Sequence, residues 1–175
     1  MKLVNTLLND VKIIENQTFQ DERGSFLKVF NFGFDDLSEF KTVQINFVNS
    51  EKAFTLRGMH FQENCVESKF FRVLHGSILL GFIDLRSNSS TFTKSASIEL
   101  TNPETAVLIP RGFATGYCTT MENTEVLYLS DNLYSTADEL GIRWNDKILK
   151  IQWPNQKLTI SDKDRSWPPF KLKKR

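Results

Sequence analysis

Along this 175-residue chain, apolar and polar positions alternate in short runs separated by turn residues. This is the pattern of strands that bury one face. Thr42 to Val48 is the clearest run, with Gln44 and Asn46 on one face and Val43, Ile45 and Phe47 on the other. Thr93 to Leu100 alternates in the same way. Ala106 to Ile109 is a continuous apolar run stopped by Pro110-Arg111-Gly112, which predicts a strand buried on both faces. Lys69 to Leu74 and Ser77 to Leu85 predict a strand pair turning at His75-Gly76. Phe113 to Thr119 and Thr124 to Ser130 predict two more strands around Met121-Glu122-Asn123. Nearer the start, Leu7-Leu8 and Val11 to Ile14 are short apolar segments, and Asp21-Glu22-Arg23-Gly24 is a turn leading into a strand over Ser25 to Phe30. Asp35 to Phe40 predicts one helical turn capped by Asp35 or Asp36. The rhythm is lost over 135–175. That tail predicts a wrapped irregular segment with a short helix near Ala137-Asp138-Glu139, ending in a solvated basic run from Lys171 to Arg175.

Many short strands at eight-to-twelve-residue spacing predict an all-β sandwich or barrel. No repeat or linker divides the chain, so one domain over 1–175 is expected. Hydrophobic residues at 40% and charged residues at 25% are an ordinary globular balance. Lys plus Arg number 22 and Asp plus Glu 21, which leaves no global charge to recruit nucleic acid or a membrane surface. No apolar run approaches membrane-spanning length, and Met1 to Asn5 reads as no signal peptide. Cys65 and Cys118 stand far apart and in no metal spacing, so a reduced, cytoplasmic protein is expected. Fifteen Phe against three Tyr favour strands and aromatic-lined pockets.

The candidate chemistry centres on Leu56-Arg57-Gly58-Met59-His60-Phe61-Gln62. Arg57 and His60 are three apart and do not share a face of an ideal strand. Gly58 permits a bulge that turns both toward one pocket. A cation beside a group titrating near neutrality suits proton chemistry on an anionic substrate. The chain has no phosphate loop, nucleophile elbow or metal signature. With two histidines, a site built on several His ligands cannot be assembled, which leaves a single-His site filled with carboxylates as the weaker alternative. Cofactor-free and metal-free acid–base chemistry is therefore expected. It needs a base, an orienting group, a proton donor opposite and a cation for developing charge. His60 is the base; Tyr128 and Tyr134 are donor candidates; Lys69 and Arg57 are the cations; Asp84 and Asp164 are the carboxylates.

Together these residues resemble the dTDP-4-dehydrorhamnose 3,5-epimerase family. The likeness runs from Phe19 to Phe170 in ordered blocks. They begin with Phe19-x-Asp21-x-Arg23-Gly24-x-Phe26, Gln44-x-Asn46 and Leu56 to Gln62. Lys69-x-x-Arg72-Val73-x-x-Gly76, Asp84-Leu85-Arg86 and Ile109-Pro110-x-Gly112-Phe113-Ala114 follow, then Tyr128 and Tyr134. The last are Glu139-x-Gly141-Ile142-x-Trp144-Asn145-Asp146, Ile151-x-Trp153-Pro154 and Ser161-x-Lys163-Asp164.

The resemblance implies a cupin jelly roll, a homodimer exchanging strands, no metal, and a nucleotide diphosphate-linked 4-keto sugar as substrate. It implies that His60 takes a proton from C3 or C5, supported by Asp164, and that Tyr128 returns one from the opposite face. Lys69 would stabilise the enolate at the C4 oxygen. Arg57 and Arg23 would hold the diphosphate. Phe19, Phe26 and Tyr134 would line the nucleotide and sugar slot, with Gln44 and Asn46 also placed at the substrate. A role in surface-polysaccharide sugar biosynthesis follows from the same likeness.

Three positions depart from the family pattern. Thr115 stands where the family carries a second histidine, so the number of centres inverted stays open. Lys28 replaces a usually acidic residue; if it reads the base edge, a donor there suits O6 and N7 of guanine, and a GDP-linked hexose or heptose joins the dTDP-linked hexose as a candidate. Leu80 replaces a commonly acidic strand residue. Two other readings compete: a 3,4-ketoisomerase on a related barrel, and a non-catalytic sugar-nucleotide-binding domain.

Overall fold

A computed structural model describes residues 1–8, 10–64 and 66–171. Cys65 and residues 172–175 of the basic run lie outside the described residues. The strands are β1 (Lys2–Leu7), β2 (Val11–Glu15), β3 (Thr18–Asp21), β4 (Gly24–Leu27), β5 (Gln44–Ser50), β6 (Thr55–Gln62) and β7 (Lys69–His75). After them come β8 (Ile78–Asp84), β9 (Ser95–Leu100), β10 (Thr105–Ile109), β11 (Phe113–Thr119), β12 (Thr124–Ser130), β13 (Glu139–Gly141) and β14 (Thr159–Ile160). One α-helix, α1 (Asp162–Ser166), is present among the described residues.

Two sheets face each other. One runs β1-β2-β10-β7-β12-β5, and the other runs β13-β6-β11-β8-β9 with β14 parallel beside β6. This is the all-β sandwich that alternation predicts and the cupin-type jelly roll that the resemblance implies, with α1 as its short C-terminal helical segment. The inward side chains of both sheets form one core: Phe71, Val73, Val107 and Val126 from the first meet Ile78, Leu80, Phe82 and Phe113 from the second. Each such fully buried side chain contributes about 1.5–3 kcal/mol relative to exposure. Leu80 is therefore a core residue. The outer face of the first sheet is covered by Leu37 and Phe40 against Phe70 and Leu129. The outer face of the second is covered by Ile142 and Leu149 from the tail. No helix among the described residues is long and apolar enough to cross a membrane.

Three local expectations are corrected. His75-Gly76 does not close a hairpin: β7 lies in one sheet and β8 in the other. Gly76, at φ +79°, is a corner packed against Thr124, and the Ser77 carbonyl accepts from the Thr120 N–H at 2.9 Å. Turn chemistry dictates a reversal but not which strand is met afterwards. The turn at Asp35–Leu37 is a 3₁₀ helix with Phe34 at its cap and no side-chain cap bond, so neither Asp35 nor Asp36 caps it. The stretch near Ala137 is a turn leading into β13, and the helix lies instead at Asp162–Ser166.

Asp84, an orienting candidate in the sequence, stays outside the cavity described below. Its fully buried carboxylate takes bonds from Arg86 at 2.9 Å and from the Ser89 and Thr91 hydroxyls at 2.7 Å. Burial alone pushes this carboxyl up, but those donors outweigh it and hold it at about 2, below the ordinary 3.8. A carboxyl depressed in the folded state stabilises above its unfolded pKa and loses that contribution as pH falls through the folded one. The shift corresponds to a contribution on the order of 2 kcal/mol. The stability gap between the unmutated protein and Asp84→Asn, read from urea midpoints, is expected to be widest above about pH 4 and to narrow toward pH 2.

Candidate active site

The site starts from the bulge in β6. Opposite β11, Thr115 pairs with His60 and Tyr117 with Arg57, so two steps on β11 face three on β6. Gly58 sits in the offset at φ +120°, where a Cβ would stand 2.6 Å from the Gly116 Cα and 2.8 Å from the Thr115 carbonyl oxygen. Only glycine fits there. The bulge turns Arg57 and His60 into the same cavity, as the sequence predicts.

The partner of His60 comes from the other end of the chain. The Ser161 hydroxyl caps α1 by accepting the Asp164 N–H at 3.1 Å, a side-chain cap of the kind Ser favours. The helix places Asp164, 4% exposed, beneath β6. His60 Nε2 lies 2.6 Å from Asp164 Oδ1, and the Gly58 N–H donates to Asp164 Oδ2 at 3.1 Å. Burial pushes the Asp164 carboxyl up, but the His60 bond and charge and the Gly58 N–H outweigh it and hold it below the usual carboxylate value. An ionised Asp164 accepts the proton on Nε2. Nδ1 is left as the basic nitrogen, with Glu139 Oε1 4.0 Å away to balance an imidazolium.

The cavity has a volume of about 400 Å³. Inward positions of alternating strands line it: Gln44, Asn46 and Val48 on β5, Lys69 and Phe71 on β7, Thr115 and Tyr117 on β11, Tyr128 and Ser130 on β12. Tyr128 stacks on Phe71 with ring centroids 5.5 Å apart. Burial raises the Tyr128 phenol, and the nearby Glu67 charge raises it further, so it is a proton donor at neutral pH. Lys69 Nζ is held by Glu67 at 3.0 Å, both side chains being largely buried. At the mouth, the Tyr134 hydroxyl and Lys163 both donate to Glu139 Oε2. Burial raises the Glu139 carboxyl, but these two donors outweigh it and lower it. Gln44 Nε2 donates to Asn46 Oδ1 at 2.8 Å.

Eight sequence-predicted residues thus meet at one cavity: Gln44, Asn46, Arg57, His60, Lys69, Tyr128, Tyr134 and Asp164. Four do not. Phe19, Arg23, Phe26 and Lys28 lie on or just past the hairpin β3–β4, which pairs with neither sheet. Phe19 is 59% and Phe26 63% exposed, and Arg23 is paired with Asp21 two residues away. The Lys28 carbonyl accepts from the Asn16 side chain. Within one chain the hairpin is too far out to line the cavity. Sequence reasoning missed Glu67, Tyr117, Glu139 and Lys163 as site residues. Tyr117 was within reach, because it lies two positions from Thr115 on an alternating strand. Glu67 gives no periodic signal, being in the loop before β7.

The dTDP-4-dehydrorhamnose 3,5-epimerase family model matches residues 5–172. An enzyme of that name from Shigella flexneri is 38% identical over 97% of this chain and 96% of its own length. The crystal structure of the Bacillus anthracis dTDP-4-dehydrorhamnose 3,5-epimerase with TDP and pyrophosphate bound superposes with a TM-score of 0.89. It is 36% identical, over 97% of this chain and 99% of that one. An epimerase from Legionella pneumophila in complex with dTDP-4-keto-L-rhamnose is 29% identical, with a TM-score of 0.89 over 96% of this chain and 92% of that one. With a jelly roll, a histidine held by a buried aspartate and this likeness over nearly its full length, the chain belongs to the dTDP-4-dehydrorhamnose 3,5-epimerase family.

Proposed function

We propose that the cavity inverts C3, C5 or both of a nucleotide diphosphate-linked 4-keto sugar, with the residues described above in stated roles. The observation that carries this reading is the His60–Asp164 pair and the protonated Tyr128 on the walls of one sugar-sized hollow. The C4 carbonyl acidifies the neighbouring C–H. His60 Nδ1 takes that proton, the C–H electron pair moves into the enolate, and negative charge collects on the C4 oxygen. Lys69 has three N–H donors, so it can satisfy Glu67 and still donate to that oxygen. A preorganised donor at such an oxyanion is worth several kcal/mol, about 3 in the best-measured cases. Tyr128 delivers a proton to the opposite face and inverts the centre; the phenolate is reprotonated from His60 or solvent. Arg57 holds the diphosphate.

The relatives named for dTDP-4-dehydrorhamnose make thymine the first base to test. Lys28, a donor suited to guanine, keeps GDP-linked 4-keto sugars in the panel. The test is NMR assignment of product configuration across dTDP-, GDP- and CDP-linked 4-keto sugars. Inversion at C3 or C5 with the ketone still at C4 is expected. A product whose carbonyl has moved to C3 would make the enzyme a ketoisomerase.

A homodimer completes the reading. Val43, Ile45 and Phe47 turn an apolar outer face to solvent at 54%, 63% and 58% exposure on or beside an edge strand. Contiguous apolar surface of this kind marks an interface. The projecting hairpin would then carry Phe19, Arg23, Phe26 and Lys28 into the partner's cavity. Light scattering is expected to give a dimer. Phe47→Glu, on the outer face and away from the cavity lining, is expected to give a monomer with much weakened nucleotide binding; a fully active monomer would contradict the exchange. Nucleotide sugars are made in the cytoplasm, and synthesis of a surface-polysaccharide sugar there is the setting we propose.

A further inference from the structure

Two buried polar groups of the cavity lining, the Asn46 amide nitrogen and the Tyr117 hydroxyl, have no hydrogen-bond partner, and only the second belongs to a residue that no role proposed above uses. Tyr117 is 5% exposed, its side chain lines the cavity, and its buried hydroxyl makes no hydrogen bond. Its register partner across the sheet is Leu80, a fully buried core residue, and its ring sits edge-on against Phe71. The wall behind the phenol therefore offers no acceptor. Burial pushes this phenol up to about 12 against the pull of the nearby Arg57 charge, and the Tyr128 ring stacks on the same Phe71. An unpaired buried hydroxyl costs about 1–3 kcal/mol unless something that visits the site satisfies it. Tyr117 thus keeps its proton and presents a donor to whatever occupies the cavity.

We propose that Tyr117 is a specificity-determining residue whose hydroxyl donates to the C2 hydroxyl oxygen of the bound sugar. The argument rests on the function proposed above. Arg57 would hold the diphosphate on C1, and Tyr128 would face the reacting carbons beside the C4 ketone. A donor near both groups stands over the part of the ring between C1 and C3. C2 carries the one hydroxyl there, and a hydroxyl oxygen is a better acceptor than the glycosidic or ring oxygen beside it. The contact is made in ground and transition states alike, so it tightens binding rather than chemistry.

The test is calorimetric binding of dTDP-glucose and dTDP-2-deoxyglucose, with the GDP-linked pair alongside, to the unmutated protein and to Tyr117→Phe. These sugars carry no 4-ketone and do not react. One net hydrogen bond predicts that Tyr117→Phe weakens the parent sugar by about 3- to 10-fold. The 2-deoxy sugar should bind the unmutated protein with the same loss and suffer no further loss in the variant. The unfolding temperature of ligand-free Tyr117→Phe should hold or rise, because the hydroxyl has no protein partner to lose. Equal affinity of the unmutated protein for the two sugars, an equal loss for both on substitution, a fall in the unfolding temperature, or no binding of any sugar would each overturn the contact. Hydrogen exchange at C3 and C5 by the unmutated protein reports on the epimerase reading separately. If exchange persists while Tyr117→Phe binds the parent sugar unchanged, the Tyr117 contact alone is overturned.

Discussion

His60→Asn is expected to end hydrogen exchange at both C3 and C5 of the keto sugar. Asparagine preserves much of the side chain's size, and its amide can still donate to Asp164. What it lacks is a nitrogen lone pair of useful basicity. Removing a general base costs about 10²–10⁴-fold, so deuterium uptake by the variant should fall by that factor at both carbons. Binding of the nucleotide sugar should change by no more than a few fold, because Arg57 and the rest of the cavity wall are untouched. Deuterium uptake at either carbon at an unmutated rate would show that another group is the base. Among the cavity residues, Glu139 would be the first to examine, since it lies 4.0 Å from His60 Nδ1.

Tyr128→Phe is expected to separate the two halves of the reaction. The ring can keep its stack on Phe71, so only the hydroxyl is lost. His60 still deprotonates the substrate and can return a deuteron to the face it came from. Exchange therefore continues while inversion falls by about 10²–10⁴-fold, the usual weight of a positioned acid. NMR reads both quantities in one sample, as label at the carbon and as configuration. Full inversion in the variant would move the donor role to Tyr134 or to water. The Tyr134 hydroxyl is already committed to Glu139 at the mouth, which is why Tyr128 is the stronger assignment.

What could be read from sequence was set by how local the physics is. The polar face of Gln44 and Asn46, the turn of Arg57 and His60 about Gly58, and the strands Phe113–Thr119 and Thr124–Ser130 follow from alternation and from one glycine. The pairing of His60 with Asp164 spans 104 residues. No spacing rule reaches that far, so it came from family resemblance alone. The same limit explains the β7–β8 error, where a valid turn signal says nothing about the sheet that the next strand joins. Alternation also did not tell which face of β5 turns inward. The polar face lines the cavity and the apolar face meets solvent, the reverse of an ordinary strand. That reversal has a physical account if a second copy covers the outer face and the substrate fills the inner one. Glu67 and Glu139 gave no sign of a site role for other reasons: Glu67 beside Lys69 looks, in sequence, like any solvated pair, and the Lys163 that holds Glu139 lies 24 residues away.

The most direct test of the central claim is solvent deuterium incorporation by the unmutated protein. With dTDP-4-keto-6-deoxyglucose in D₂O, and the GDP-linked ketone in parallel, the account predicts deuterium at each inverted carbon, C3, C5 or both, and none elsewhere on the ring. Ketone recovered from every sugar in the panel with only hydrogen at C3 and C5, after incubation with folded protein that binds it, would contradict proton abstraction by His60.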